Sequence, residues 1–199
     1  MKSKLFWALF FAPVLICLGM TPAQDARPQD TSPNEPRYTK GGELIHPGSY
    51  REWIYLSSGL GMTYRSSATA TNTNPNFDNV FVTPTAYQAF LASGVWPDKT
   101  MFALEVRTAG SKASINKGGH FQEELTALEV EVKDKTLPGG WAFFAFGAAT
   151  QPAKALPVGA GCQACHTANG AVEQTFVQFY PTLVPVAKAK GTFRSTPEN

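Results

Sequence analysis

The sequence predicts an α+β fold: mainly antiparallel β-sheet, a few short helices, and a Cys/His motif close to the C-terminal end. Three observations predict it. Met101–Thr108 sets Phe102, Leu104 and Val106 on one face against Met101, Ala103, Glu105 and Arg107 on the other, the period-two pattern of a strand. Leu125–Val132 alternates likewise, with Leu128, Val130 and Val132 opposite Glu129 and Glu131. Trp141-Ala142-Phe143-Phe144-Ala145-Phe146 is apolar on both faces and reads as a central strand covered on both sides.

The other elements follow in chain order. Gln24–Lys40 is rich in Pro, Asp, Ser and Asn and reads as a flexible linker. Folded structure is expected from Gly41. Tyr50–Leu56 mixes helical and strand spacing, so its type stays open. Ser66–Asn76 reads as a polar loop and Val80-Phe81-Val82 as a short strand. Thr83 can cap a helix with Pro84 at its first position and Tyr87, Phe90 and Leu91 on one face. Pro97-Asp98-Lys99-Thr100 and Pro138-Gly139-Gly140 are turns, and Ala109–Gly119 is a Gly/Ser/Lys loop. A loop over 151–161 precedes the Cys/His motif. An aromatic helix around Val177, Phe179 and Tyr180 follows, ended or kinked by Pro181, and 191–199 reads as a solvated polar tail.

The N-terminus carries an export signal. Lys2 and Lys4 precede an apolar run from Leu5 to Leu18, and Thr21-Pro22-Ala23 supplies small residues for cleavage, which sets a signal peptide at 1–23. Ile16 before Cys17 is too large for the small-residue preference of a lipoprotein site. Export of what looks like a bacterial leader implies the periplasm. Removal of the leader takes Cys17 with it and leaves Cys162 and Cys165 as the only thiols. The formal charge of +2 falls to about zero once Lys2 and Lys4 are gone, which gives no reason to propose nucleic acid as a partner.

Cys162-Gln163-Ala164-Cys165-His166 is the C-x-x-C-H signature of covalent haem attachment. Two thiols one helical turn apart can each add across a haem vinyl group, and the next histidine can ligate the iron. A zinc site would need four ligands, and only His46 and His120 could complete one, both far away in sequence. A thioredoxin-like pair would need a strand before its helix, where this chain has a loop. The cofactor is therefore one covalently attached haem c, with His166 on the metal. No Met or His follows His166, which implies an open distal position and small-molecule chemistry rather than pure electron transfer.

Further segments carry a family likeness. They are Tyr50-Arg51-Glu52-Trp53, Val80 to Pro84 with Tyr87, and Pro97-Asp98-x-Thr100 leading to Glu105. Leu128-Glu129, Val132-Lys133-Asp134, Trp141-Ala142-Phe143 and Phe176-Val177-x-Phe179-Tyr180-Pro181 continue the series. In this order and spacing the chain resembles the cytochrome P-460 and cytochrome c′-beta family, β-rich periplasmic haem proteins, over a domain expected at 41–190. The cross-linked branch of that family oxidises hydroxylamine with a haem bonded to a lysine, and Leu104 stands at that position here. The other branch lacks the lysine and binds nitric oxide beneath an aromatic lid.

The resemblance implies Phe102 and Leu104 on an apolar face toward the haem, Glu129 as the proton acceptor of any oxidation, and Phe77 as a candidate lid. His46 and His120 are the alternative distal ligands, although surface or hydrogen-bonded roles are commoner for lone histidines. Three functions stand: nitric oxide binding, oxidation of hydroxylamine or reduction of peroxide, and electron transfer. The first is preferred. Bound oxygen carries negative charge and wants a donor, whereas an apolar lid suits neutral nitric oxide. The expected partners are a small gaseous or nitrogenous ligand and a periplasmic redox protein, with room for a homodimer.

Overall fold

Five strands form one antiparallel sheet in the hydrogen-bonded order β1-β2-β3-β4-β5, which is also their order in the chain. They are β1 (Ile54–Leu60), β2 (Asn76–Val82), β3 (Met101–Gly110), β4 (Phe121–Lys133) and β5 (Trp141–Gly147). Among the described residues three helices accompany them: α1 (Pro84–Ser93), α2 (Gly161–Asn169) and α3 (Val184–Ala189). The computed structural model describes residues 34–63 and 75–195. The expected leader, the linker up to residue 33, most of the loop expected over 66–76 and residues 196–199 lie outside them. Among the described residues no helix is long and apolar enough to cross a membrane.

The register of the three middle strands does most to position the site. Val82, Phe102, Glu131 and Phe143 pair across β2 to β5 in one transverse row. Two residues along, Ser57, Val80, Leu104, Glu129 and Ala145 form a second row across all five strands. Gly59, Asp78, Val106 and Ala127 form a third. Rows two residues apart share a face and lie about 7 Å from one another. This face meets α2 and the C-terminal segment. The opposite face carries Phe81, Met101, Ala103, Leu128, Val130 and Phe144, packed under Leu44, Tyr50 and Trp53.

Alternation in β3 and β4 is thus realised as the sequence implies. The apolar character of β5 has a different cause from the one expected. It is an edge strand, not a central one. Phe143 joins the core on one face while Phe144 and Phe146 join the core on the other. A bridge from Phe144 to Ala155 covers part of its free edge. The linker also ends earlier than expected. Tyr38 bridges to Leu44, Leu44 bridges to Ala153, and the Ile45 amide donates to the Arg37 carbonyl at 2.8 Å. Thr83 does precede α1, yet its hydroxyl is buried without a hydrogen-bond partner instead of capping the helix. The aromatic helix is only a 3-10 turn, Val177–Phe179, and α3 forms beyond Pro181 with Pro185 in its first turn.

Glu105 is one step out of phase with the site-facing residues of β3 and is 1% exposed. A buried carboxylate persists only when paired and hydrogen-bonded. Tyr50 donates its hydroxyl at 2.6 Å, Arg107 its Nε at 2.9 Å and Asn79 its amide at 3.1 Å, while Arg51 completes an ion pair. Burial alone would push the Glu105 pKa up, but the hydrogen bonds from Arg107, Tyr50, Arg51 and Asn79 outweigh it and hold the value at about 2. Because the folded value is depressed, the stabilisation is present above the unfolded carboxyl pKa and is lost as pH falls through about 2. Unfolding titrations should show the native protein losing up to about 3 kcal/mol between roughly pH 4.5 and 2, reduced by whatever solvent screens at Arg51. Glu105→Gln should be less stable at neutral pH and lose less stability over that window than the native protein, the remainder including Asp134 with its Lys99 partner; an unchanged acid limb in the variant would show that the stabilisation lies elsewhere.

Candidate functional site

Helix α2 starts after Ala160, where the loop over 151–160 turns into the sheet, and it carries Cys162, Cys165 and His166 on one face. Positions i, i+3 and i+4 share a helical face, so two thiols and an imidazole converge. Both cysteines are free thiols and half-buried. Burial pushes the Cys162 thiol pKa up, and the charge of Glu129 adds to the rise. The carboxyl end of α2 is capped by a residue expected to lie in the solvated tail. Arg194 donates to the carbonyls of Gly170 at 2.6 Å, Thr167 at 3.1 Å and Ala168 at 3.3 Å, a cation on the negative end of the helix dipole.

His166 is wedged between Phe143 of β5 and Phe176, with ring centroids 4.7 and 4.2 Å away. Its Nδ1 donates to the Gln174 carbonyl at 2.8 Å, which fixes the tautomer and leaves Nε2 with its lone pair. Glu131 Oε1 lies 3.4 Å from the same Nδ1 and has no hydrogen bond of its own. Burial pulls the His166 pKa down, but Glu131, the Gln174 carbonyl and Glu129 more than reverse it, so the net direction is upward.

The loop that presents the Gln174 carbonyl is tightly folded. A Cβ on Gly170 would fall 2.8 Å from both the His166 carbonyl oxygen and the Thr175 nitrogen. Thr175 in turn accepts a hydrogen bond from Trp96 Nε1 at 2.9 Å, and Trp96 stacks on Phe90 and packs edge-on against Phe102. The histidine loop is therefore fastened to α1 and β3.

Between α2 and the sheet lies a cavity of about 590 Å³, within the range of small-molecule and cofactor sites. His166 touches the row of Glu131 and Phe143. The cavity runs from there over the row of Val80, Leu104 and Glu129 to that of Asp78 and Val106. Two reduced thiols, an imidazole whose Nε2 is freed by its partner's hydrogen bond, and an apolar slot beyond them fit a haem held by Cys162, Cys165 and His166.

Phe102, Leu104 and Glu129 all line this cavity. Phe77 does not. It pairs with Leu60 and Arg107, so it lies on the opposite face of β2 from Asp78, and the alternation of the strand excludes it as a lid. His46 packs edge-on against Phe146 at 5.1 Å behind the sheet, where burial lowers its pKa. His120 is exposed at the start of β4 and is not among the cavity residues.

Asp78 and Met62 are among the site residues that escape the sequence reading. Asp78 lines the cavity because β2 begins at Asn76, four residues before the apolar run that signals it. Burial pushes the Asp78 pKa up, and the charge of Glu129 adds to it. The Met62 Sδ sits 2.3 Å from where a Cβ on Gly59 would be, so the glycine leaves the notch that lets the thioether reach the cavity. Alternation with Val80 could have found Asp78; nothing local marks Met62.

A family model described as Cytochrome P460 matches residues 47–177, more than half of the chain and inclusive of Leu104, Glu129 and the haem motif. No curated protein matches the chain.

The close approach at Gly170 generates a prediction. Gly170→Ala should destabilise the protein by roughly 1–3 kcal/mol, because the added methyl has backbone rather than a flexible side chain to displace. Gly48 has no atom within 4 Å of its Cβ position, and Gly48→Ala should change stability by less than about 0.5 kcal/mol. Equal effects in denaturant melts would show that the 170–175 loop relaxes freely.

Proposed function

The chain belongs to the cytochrome P460 family of haem cytochromes, and from that premise we propose that it is a periplasmic mono-haem c-type cytochrome binding nitric oxide or a similar small ligand at an open distal position. The observation that carries this reading is the placement of Leu104. It faces the cavity in the middle of the second row, between Val80 and Glu129, where the cross-linked branch has a lysine. A leucine has no amine to bond a porphyrin.

When bound, haem would supply a redox-active iron able to take a small ligand. The rest is the work of the chain. Cys162 and Cys165 are free to form thioethers, and His166 offers Nε2 because Gln174 holds Nδ1. Val80, Leu104 and Val106 exclude water from the wall beyond His166 and offer it no hydrogen-bond donor. Such a wall favours neutral nitric oxide over oxygen, whose bound form needs a donor. Glu129 on the same wall is the base that hydroxylamine oxidation would use. The periplasmic assignment and a redox partner there rest on the export signal.

Met62 favours a second reading, because a thioether that reaches the cavity can serve as a sixth ligand and make the protein an electron carrier. Optical spectra separate the two. On the open-site reading the haem stays on the denatured chain and the native ferrous protein is high-spin and five-coordinate near neutral pH. A low-spin native spectrum that becomes high-spin in Met62→Ala would establish the carrier instead. Steady-state oxidation of hydroxylamine with an artificial acceptor should be slow or undetectable. Fast turnover lost in Glu129→Ala would make the protein an oxidase with Glu129 as its base.

A further inference from the structure

The cavity is apolar at its centre and acidic around it. Asp78, Glu129 and Glu131 all line it, and none of its described lining residues is Lys or Arg. Glu131 belongs to the His166 end, in the row that touches the imidazole. Glu129 lies one row farther from the histidine and Asp78 two rows farther. Among the described residues no side chain pairs with Asp78 or Glu129. The strand neighbours of Asp78 on this face are Gly59, with the Met62 thioether in its notch, and Val106. The neighbours of Glu129 are Leu104 and Ala145. Two carboxyls thus border one apolar slot without a counter-charge. The charge of Glu129 contributes to the upward displacement of the Asp78 pKa, after burial.

We propose that Asp78 and Glu129 form an acidic distal wall that selects against anionic ligands of the iron and in favour of neutral or protonated nitrogen ligands. The proposal rests on the haem reading above and adds a selectivity to it. An anion entering the slot meets two like charges across a surface that has displaced water, so the repulsion is less screened than at an open surface. A neutral diatomic meets no such repulsion against the apolar stretch of Val80, Leu104 and Val106. Removing one unit charge at about 10 Å in an effective dielectric near 20 changes the binding constant of an anion by roughly tenfold and leaves that of a neutral ligand unaltered. Asp78 is thereby a specificity-determining residue.

The test uses the holoprotein and three variants: Asp78→Asn, Glu129→Gln and the double substitution, each nearly isosteric. Azide titrated into the ferric form is the anionic probe, and nitric oxide bound to the ferrous form is the neutral one. Azide should bind roughly tenfold more tightly to Asp78→Asn and more tightly still to the double variant, with the difference shrinking as salt is raised. Nitric oxide affinity should stay within about threefold throughout. Azide affinity unchanged in Asp78→Asn, with nitric oxide binding intact, overturns the acidic wall and spares the open-site reading. Equal gains for azide and nitric oxide overturn it too, since they report an enlarged slot and not a lost charge. Failure of the native protein and every variant to bind nitric oxide overturns the open-site reading itself, and the selectivity with it.

Discussion

Register across β2, β3 and β4 is the constraint from which the site follows. From Phe102 to Val106 the central strand pairs with both neighbours without a slip, and the irregularities in its pairing with β4 begin only beyond Val106. Side chains alternate across a sheet, so a shift of one residue would exchange the two faces of a strand. Leu104 would then enter the rear core, and Glu105 would enter the cavity. Glu105 itself opposes such a shift. Three of its partners, Tyr50 and Arg51 of the 3-10 turn Tyr50–Glu52 and Asn79 of β2, lie on other segments and are in reach only in the observed register, while Arg107 belongs to its own strand. A slip would take Tyr50, Arg51 and Asn79 from a buried carboxylate, which is more costly than a repacked leucine. The charged network behind the sheet thus helps hold the apolar wall in front of it.

A second constraint fixes the helix that carries the haem motif. Few of its own residues are buried, and its position is set from outside. Arg194 holds its carboxyl end, Phe143 and Phe176 enclose its histidine, and the 170–175 loop is fastened through Thr175 to Trp96. Trp96 is 1% exposed and stacked on Phe90, so the histidine is referenced to one of the most deeply buried parts of the core. The orientation of an axial ligand depends on such outer contacts as much as on the ligand.

The wall that faces His166 combines two requirements that usually conflict. It excludes water with Val80, Leu104 and Val106, yet keeps Asp78 and Glu129 at the margin of the same slot. The sheet permits this because neighbouring strands contribute independently to each row. The side chain in the middle of the second row can vary without disturbing the fold, since the row is held by backbone pairing and not by that side chain.

How much of this was legible in the sequence depends on the range of the interaction concerned. The alternation of β3 and β4 and the helix at Pro84 depend on residues a few positions apart, so they are read correctly from local pattern, and the Cys/His motif is legible for the same reason. Phe102, Leu104 and Glu129 are placed by that alternation together with the family resemblance. Phe77 fails because loop residues give no phase, and the phase appears only when β2 extends to Asn76. β5 fails for a related reason: two apolar faces show that both are covered, but not whether a further strand lies beside them. Arg194 on α2, Trp96 on Thr175 and the charge of Glu129 acting on Asp78 join segments that are distant in sequence or matched only by register. By itself the sequence determined the chemistry that could be attached and the faces of the strands that would receive it. Tertiary structure decided which charges border the slot and what holds the histidine, because pairing register and long-range packing bring together groups that no local periodicity connects.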